Sequence, residues 1–320
     1  MTSAQHQVNS IHRFNFFEII KSLHGCDLLI SGGGSLLQDV TSMRSLLYYL
    51  SILGLGVILK KKVMLFGQGI GPIHSRFLRK LTKLICSHAD LITVRDQDSL
   101  YELRRLGVPT QKVQLTADSV LTLPQEGKDL GKGLLNAFHV PEDKMLIAIS
   151  VRKWQEDDSY LLELAKAADL LAEEYNAHIV LLPLQYPVDM EACRRLQHFM
   201  RQTAASTVLE TACDTEQFLS LMGNFNLLIG MRLHALIFAA VMELPFVAVS
   251  YDPKIDGFVK DINGINAGKV EELQAAQVVA AAHKALAPET SAHGMLDKLR
   301  AKALLNAQEA FELLSRGDVR

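Results

Sequence analysis

The sequence predicts an α/β protein with two Rossmann-like domains. Short apolar runs without polar alternation are separated by segments whose apolar residues recur every three or four positions, and this combination is typical of parallel sheets covered by helices. The alternation weakens at about residue 118 and begins again at Met145. With 320 residues, of which 49% are hydrophobic, the chain has enough apolar material for two such cores.

The first half of the chain predicts four strands and three helices. The strands are expected at 27–31, 63–67, 91–94 and 112–116, and the helices at 42–59, 75–87 and 96–106. Residues suited to N-caps precede each helix, namely Thr41 or Ser42, Ser75 and Asp96. Gly107 and Pro109 end the third helix, because glycine is favoured just past a helix and proline cannot continue one.

Prolines and glycines interrupt the pattern at 118–143, which predicts an interdomain linker. Strands are then expected at 145–151, 178–182, 207–209, 226–229 and 245–250, and helices at 159–175, 188–201, 214–222 and 231–242. We therefore expect an N-terminal domain at 1–122 and a C-terminal domain at 144–290. Residues 291–320 are expected to form an amphipathic C-terminal helix that packs back on the N-terminal domain.

Composition excludes several classes of function. A formal net charge of -2 argues against a nucleic-acid-binding protein. Four scattered cysteines without a C-x-x-C spacing argue against a zinc site or a disulfide framework. The longest uncharged apolar run, 45–59, is shorter than the roughly 20 residues of a membrane-spanning helix. We expect a cytoplasmic protein, with peripheral contact to the inner face of the membrane left open.

Two glycine-rich segments follow predicted strands, where ligands bind to parallel sheets. The first contains Gly33 and Gly34, whose backbone N–H groups are suited to an anion. The second contains Gln68, Gly69 and Gly71, which would line a ligand site with backbone. The alternative for the first segment is a tight turn between a strand and a helix.

Cationic and titratable side chains follow three other strands. Arg95 ends one strand and can hold a phosphate or carboxylate; the alternative is a structural ion pair with Asp96 or Asp98. Arg232 and His234 begin the helix after another strand, and Lys254 follows the next strand. A helix N-terminus favours an anion, and histidine can exchange a proton near neutral pH. The alternative for His234 is a core histidine bonded to a backbone carbonyl.

Six segments resemble the polysaccharide pyruvyl transferase family, in the branch that modifies secondary cell-wall polymers of bacteria with surface layers. In chain order they are DLLISGGGSLLQDVTS, GQGIGP, ITVRDQDS, TADSV, GMRLHALIFA and VSYDPKIDGF. The resemblance implies two domains facing a cleft, as in type B glycosyltransferases. It implies phosphoenolpyruvate as the donor co-substrate, a ketal product, and no metal or dissociable cofactor. The implied acceptor is an N-acetylmannosamine unit of a lipid-linked disaccharide.

The resemblance also implies roles for individual residues. His234 is the expected proton donor and acceptor, Arg232 and Arg95 hold the carboxylate and phosphate of the donor, and Lys254 is a further donor ligand. The family's opening turn, similar to GYYGxxNxGDE, has no counterpart before Ile11. We therefore expect the first strand-helix unit to be missing. A nucleotide-sugar glycosyltransferase and an inactive binding remnant are the alternative interpretations.

Overall fold

The computed structural model describes residues 7–40, 42–287 and 293–316, with side chains of the last segment described from Met295 onward. The described residues form two compact units. Unit 1 contains the residues up to Ser119 together with those from Lys302 onward, and unit 2 contains Val120–Ala301. Each unit has a parallel sheet, so the predicted α/β fold class is confirmed.

Unit 1 has a four-stranded parallel sheet whose strands lie side by side in chain order. The strands are β1 (Leu28–Gly32), β2 (Lys62–Gln68), β3 (Leu91–Val94) and β4 (Val113–Leu115). The helices before and between them are α1 (Phe16–Gly25), α2 (Met43–Ile58), α3 (Arg76–His88) and α4 (Gln97–Leu106). Because parallel crossovers are right-handed, consecutive strand order places the connecting helices on one face of the sheet. Val63 and Leu65 of β2 pack there against Leu46 and Leu50 of α2.

The helix boundaries of unit 1 follow the predicted caps. The side chains of Ser42, Ser75 and Asp96 each accept a hydrogen bond from a backbone N–H in the first turn. Gly107 ends α4 with a φ of 78°, a left-handed conformation that glycine adopts without steric cost. Thr41, the other candidate cap for α2, lies outside the described residues.

Unit 2 has a six-stranded parallel sheet in the order β10-β9-β8-β5-β6-β7. The strands are β5 (Met145–Ser150), β6 (Ala177–Leu181), β7 (Ser206–Val208), β8 (Leu227–Gly230), β9 (Phe246–Ser250) and β10 (Ile265–Lys269). The helices are α5 (Asp129–Ala137), α6 (Ser159–Glu174), α7 (Met190–Phe199), α8 (Thr215–Met222), α9 (Leu233–Val241), α10 (Pro253–Asp261) and α11 (Ala275–Leu286). The chain reverses its direction of travel across the sheet between β5 and β8. In Rossmann-like sheets such a reversal opens a crevice at the carboxyl ends of the two strands.

The predicted linker at 118–143 is wrong in part, because it contains α5, which packs against α8. The backbone N–H of Gly131 donates to Ser220 Oγ at 2.7 Å. A Cβ atom at Gly131 would lie 2.5 Å from the carbonyl carbon of Ser220. This glycine therefore permits a close approach of two helices, and it does not mark a flexible segment.

The last helix, α12 (His293–Ser315), is divided between the units. Its residues from Lys302 onward belong to unit 1, where Lys62 Nζ donates to the carbonyl of Leu314 at 3.3 Å. Its residues before Lys302 belong to unit 2. Across the part of the chain that the structure describes, we find no helix whose length and apolar character would let it cross a bilayer.

Candidate functional site

The predicted site residues fall into two groups, one in each unit. Gly33, Gly34, Gln68, Gly69, Gly71 and Arg95 lie at the carboxyl ends of β1, β2 and β3 in unit 1. Arg232, His234 and Lys254 lie at the carboxyl ends of β8 and β9 in unit 2.

The two glycine-rich loops of unit 1 are joined by backbone hydrogen bonds. Gly69 N–H donates to the carbonyl of Gly34 at 2.9 Å, and Gly71 N–H donates to the carbonyl of Leu37 at 2.7 Å. Leu37 and Ile70 form a parallel bridge between them. The N–H groups of Gly69 and Gly71 therefore hold the neighbouring loop and are not available to an anion.

The backbone conformation at positions 33 and 34 favours glycine. Their φ angles are 78° and 64°, both in the left-handed region, whereas a Cβ atom at either position would meet nothing within 4 Å. The first loop thus presents two consecutive glycines to open space. The N–H of Gly33 donates to the carbonyl of Phe66 at 3.5 Å, and the N–H of Gly34 remains a candidate for anion contact.

Asp39 fixes the end of the first loop to the start of α3. Its carboxylate accepts hydrogen bonds from the backbone N–H groups of His74 and Ser75, all at 2.9 Å. Burial raises the pKa of Asp39, but these backbone bonds and the His74 ring outweigh it, and the pKa lies below its usual range. The carboxylate is therefore ionised at neutral pH and suited to hold the helix N-terminus.

Arg95 is buried and already paired. Its Nη1 donates to the carboxylate of Asp118, its Nη2 donates to Ser35 Oγ at 3.2 Å, and its Nε lies 3.6 Å from Asp96. The side chain is 7% exposed. The structural-pair alternative is thus correct for Asp96, and Asp118 is a second partner that sequence reasoning missed. An incoming anion would have to compete with two carboxylates for this guanidinium.

Gln68 and Asn306 lie in the core of unit 1. Gln68 is fully buried, and its amide nitrogen and oxygen have no hydrogen-bond partner among the described residues. Asn306 of α12 is also fully buried, and it bonds to Thr116 Oγ1 at 2.8 Å and to the carbonyl of Ala117 at 3.0 Å. Asn306 therefore ties α12 to the end of β4.

Arg232 is held by a fully buried carboxylate in unit 2. It is the N-cap residue of α9, and its Nε donates to Asp189 at 3.1 Å while Nη2 donates to the other carboxylate oxygen. Asp189 is 0% exposed and also accepts from the backbone N–H of Gln185 at 2.8 Å. The side chain of Arg232 is 15% exposed, and its Nη1 makes no hydrogen bond to any described residue. The guanidinium is therefore fixed on one side and keeps two N–H donors on the other.

His234 and Lys254 occupy equivalent positions on neighbouring helices. Each is the second residue of its helix, α9 or α10, and the preceding strands β8 and β9 pair directly. Both side chains are half-buried, so His234 is not enclosed in the core as the alternative interpretation required. Asp252 caps α10 by accepting from the backbone N–H of Lys254 at 2.9 Å.

A third cluster at the same edge of unit 2 was missed by sequence reasoning. Arg152 follows β5, and its Nη1 donates to Tyr251 Oη at 2.8 Å while the guanidinium carbon lies 4.8 Å from the centre of the Tyr251 ring. Trp154 packs on the same ring, with 4.9 Å between centroids. The buried hydroxyl of Tyr160 donates to the carbonyl of Arg152 at 2.7 Å and accepts from the N–H of Trp154 at 3.2 Å.

Burial raises the pKa of Tyr160 to about 12, so the hydroxyl stays protonated and serves as a fixed donor.

A cavity of about 120 Å³ lies at the opposite side of this sheet, where strands begin. Its lining includes Pro245, Phe246 and Ile265, at the beginnings of β9 and β10. The charged and titratable side chains of the candidate site lie at the carboxyl ends of the strands, so this cavity is not part of the site. Among the described residues, no group of three His, Cys, Asp or Glu side chains is arranged to hold a metal ion.

A family model described as polysaccharide pyruvyl transferase matches residues 3–253. The chain belongs to the polysaccharide pyruvyl transferase family. A curated relative is the amylovoran biosynthesis protein AmsJ of Erwinia amylovora, which is 24% identical over 252 residues. The match covers 74% of this chain and 59% of that protein, so the chain spans about three fifths of the length of this relative.

Several solved structures have the same fold. The UDP-GlcNAc 2-epimerase of Methanocaldococcus jannaschii superposes with a TM-score of 0.64 at 11% identity, covering 95% of this chain and 84% of the epimerase. HepE of Anabaena in complex with UDP and glucose superposes with a TM-score of 0.60 at 12% identity, covering 93% of this chain and 80% of HepE. At these identities the likeness establishes the fold alone.

In this member of the polysaccharide pyruvyl transferase family, two of the missed residues had a signal in the sequence and two had none. Tyr251 directly follows β9 and Arg152 comes two residues after β5, so the rule that identified Arg95 and Arg232 applies to them equally. Asp118 lies within the TADSV segment but carries no local sign of its pairing with Arg95. Asp189 likewise has no local signal, because it lies 43 residues from Arg232 in the sequence.

Proposed function

We propose that this chain transfers the enolpyruvyl carbon unit of phosphoenolpyruvate to a cell-envelope saccharide as a cyclic ketal. One observation carries the proposal. In a chain of this family, Arg232, His234 and Lys254 lie at the carboxyl ends of two adjacent strands, on the first turns of two helices. Helix N-termini favour anions, and these three side chains supply positive charge and a titratable group there.

The proposed chemistry begins with proton transfer. His234 protonates the methylene carbon of phosphoenolpyruvate, and the adjacent carbon becomes an oxocarbenium-like centre that a sugar hydroxyl attacks. A second hydroxyl of the same sugar then displaces phosphate and closes the ketal ring. The two hydroxyl protons are accounted for, because one returns to His234 and the other leaves with phosphate.

Fixed cations would stabilise the charge of the donor. Asp189 holds Arg232 so that its Nη1 group remains for a ligand, and Lys254 follows the neighbouring strand. Preorganised charges of this kind lower a barrier because they need no reorganisation during the reaction.

As the acceptor we propose an N-acetylmannosamine unit of a lipid-linked disaccharide, reached at the inner face of the membrane, and a reaction without a metal or dissociable cofactor. Turnover should then be insensitive to EDTA. Substituting glucosamine-type for mannosamine-type acceptors in the same assay tests the acceptor.

The test is incubation with phosphoenolpyruvate and the disaccharide acceptor, with measurement of released phosphate and of the acceptor mass. We expect a mass increase of one pyruvate less one water. His234→Ala should lower turnover by a factor of about 100 to 10,000, as expected when a proton-transfer group is lost. The matched control is His283→Ala. His283 of α11 pairs with Glu174 of α6, away from the carboxyl ends of the strands. Near-normal turnover of His234→Ala would contradict the assignment.

A second candidate is a nucleotide-sugar glycosyltransferase, which the fold likeness to UDP-sugar enzymes favours. Replacing phosphoenolpyruvate by UDP-sugars in the same assay separates the two. Release of UDP with transfer of a hexose mass would replace the pyruvyl transfer proposal.

A further inference from the structure

Three arginines lie just after the carboxyl ends of strands, where ligands bind to parallel sheets. They differ in whether a carboxylate lies beside them. Arg95 is paired with Asp118 and Asp96, and Arg232 is paired with Asp189. Arg152 has no carboxylate within 4 Å among the described residues. Its hydrogen bonds go to Tyr251 Oη at 2.8 Å and to the carbonyl of Lys153 at 3.4 Å. It is therefore the strand-end arginine whose positive charge is not neutralised.

Arg152 also lies at the topological reversal of the unit 2 sheet. β5 and β8 pair up to Ser150 and Gly230, and Met231 N–H donates to the carbonyl of Ser150 at 2.9 Å. Arg152 comes two residues after Ser150, and Arg232 two residues after Gly230. The two guanidinium groups thus leave the sheet at corresponding positions of neighbouring strands, at the crevice where Rossmann-like sheets bind ligands.

The segment that carries Arg152 is held in place on both sides of the side chain. Tyr160 accepts from the N–H of Trp154 and donates to the carbonyl of Arg152 itself, so the backbone from Arg152 to Trp154 is pinned to α6. The Tyr251 ring lies under the guanidinium, and its hydroxyl accepts from Nη1. A cation over an aromatic ring keeps its planar edge open to an anion, and Nη2 has no partner among the described residues.

We propose that Arg152 binds the phosphate group of the donor, with Tyr251 as the residue that positions it. This inference rests on the proposed function, since phosphoenolpyruvate is the expected donor. The contacts of Arg152 fix the orientation of its planar guanidinium, whose N–H groups match the oxygens of a phosphate. A half-buried cation without a carboxylate partner is also stabilised by a doubly charged anion. Because Arg152 covers the Tyr251 ring and Trp154 also packs on it, the cluster does not present a bare aromatic platform for stacking a sugar.

The experiment uses the single tryptophan of the chain as its probe. Trp154 contacts Tyr251 directly, so its emission should change when a ligand occupies the site beside Arg152. The full chain is titrated with phosphoenolpyruvate, inorganic phosphate, pyruvate and UDP. Arg152→Gln should weaken phosphoenolpyruvate and phosphate about 10- to 100-fold, the loss expected for a charged hydrogen-bonding group, and should change pyruvate binding little.

Three further variants separate a binding role from a folding role. Tyr251→Phe keeps the ring and removes the acceptor for Nη1, so it should weaken phosphoenolpyruvate about three- to tenfold. Arg152→Lys keeps the positive charge but lacks the planar pair of N–H donors, and it should bind phosphoenolpyruvate better than Arg152→Gln does. Arg201→Gln is the matched control. Arg201 is exposed and lies between the end of α7 and the beginning of β7, away from the carboxyl ends of the strands. Thermal unfolding of each variant is measured in parallel, and calorimetry repeats the titrations without relying on Trp154.

The outcomes are distinguishable. If Arg152→Gln binds phosphoenolpyruvate and phosphate as tightly as the unaltered chain, the inference is overturned. If pyruvate weakens as much as phosphoenolpyruvate, Arg152 holds the carboxylate and the phosphate assignment is wrong. If the unaltered chain binds UDP and phosphate through Arg152 but not phosphoenolpyruvate, the proposed function fails while the phosphate contact stands.

Discussion

The guanidinium of Arg232 is held in unit 2 by Asp189, a carboxylate with no exposed surface. The location of Arg232 after a strand was predictable from the local pattern. Its counter-charge was not, because Asp189 becomes its neighbour only when β6 and β8 have been assembled into one sheet. The same holds for Arg95 and Asp118, which come from the ends of β3 and β4. The sequence therefore located Arg95 and Arg232 without showing that each is already paired with a carboxylate.

The buried pair predicts a stability effect at Asp189. Asp189→Asn leaves the Arg232 guanidinium with one acceptor in place of a carboxylate, and removing one partner of a buried pair costs about 3 kcal/mol or more. We expect the free energy of unfolding, measured by urea denaturation, to fall by about 3 kcal/mol. The matched control is Glu210→Gln, since Glu210 forms a two-bond pair with Arg194 that is largely exposed. That variant should change stability little. Equal losses in the two variants would show that burial of the pair has no energetic consequence.

At the level of helices and strands, caps and terminators were sufficient to place most elements. Ser42, Ser75 and Asp96 cap helices as their sequence positions predicted. Five elements were missed, namely α1, α5, α10, α11 and β10, and for two of them the structure gives the physical reason. β10 has the sequence INAGK, which has too few apolar residues to predict a strand and lies at the edge of its sheet. α5 contains Gly131 and Gly133, which argue for a loop until the neighbouring helix α8 is known.

The two glycines of α5 provide a matched test of that explanation. Gly131→Ala forces a Cβ atom against the backbone of Ser220, whereas a Cβ atom at Gly133 meets nothing within 4 Å. We expect Gly131→Ala to lower the free energy of unfolding by about 1–3 kcal/mol through overpacking. Gly133→Ala should raise it by up to about 1 kcal/mol, because alanine is the better helix former. Urea denaturation of both variants gives the two signs, and two changes of the same sign would refute the close-approach argument.

At the level of the whole molecule, the described residues of each unit form a hydrophobic core cluster, and these two clusters share no residue. One includes Leu46, Leu65 and Cys86 in unit 1, and the other includes Ile147, Leu171 and Cys193 in unit 2. The restart of the alternating pattern predicted this duplication. What it could not predict is that α12 begins in one unit and ends in the other, because an amphipathic pattern identifies a buried face without identifying what covers it.

The cysteines allow the two cores to be followed separately. Burial raises the pKa of Cys86 and of Cys193 to about 12, so both thiols are protonated as well as inaccessible in the native state. In a chain with Cys26→Ser and Cys213→Ser, we expect no labelling by a thiol reagent until unfolding, and separate urea midpoints for the two remaining thiols. Adding Gly131→Ala should lower the midpoint of Cys193 more than that of Cys86. Rapid labelling of either thiol without urea would contradict its burial.

Asn306 has a consequence for the order of events on the ribosome. It completes the hydrogen bonds at the end of β4, yet it is synthesised after all of Val120–Ala301. When Val120–Ala301 has been synthesised, all four strands of the first sheet are present, but the hydrogen bonds that Asn306 makes at the end of β4 are still missing. Although domains are generally finished in the order of translation, here the later sheet should reach its native state first. The earlier one should wait for the final helix to clear the exit tunnel.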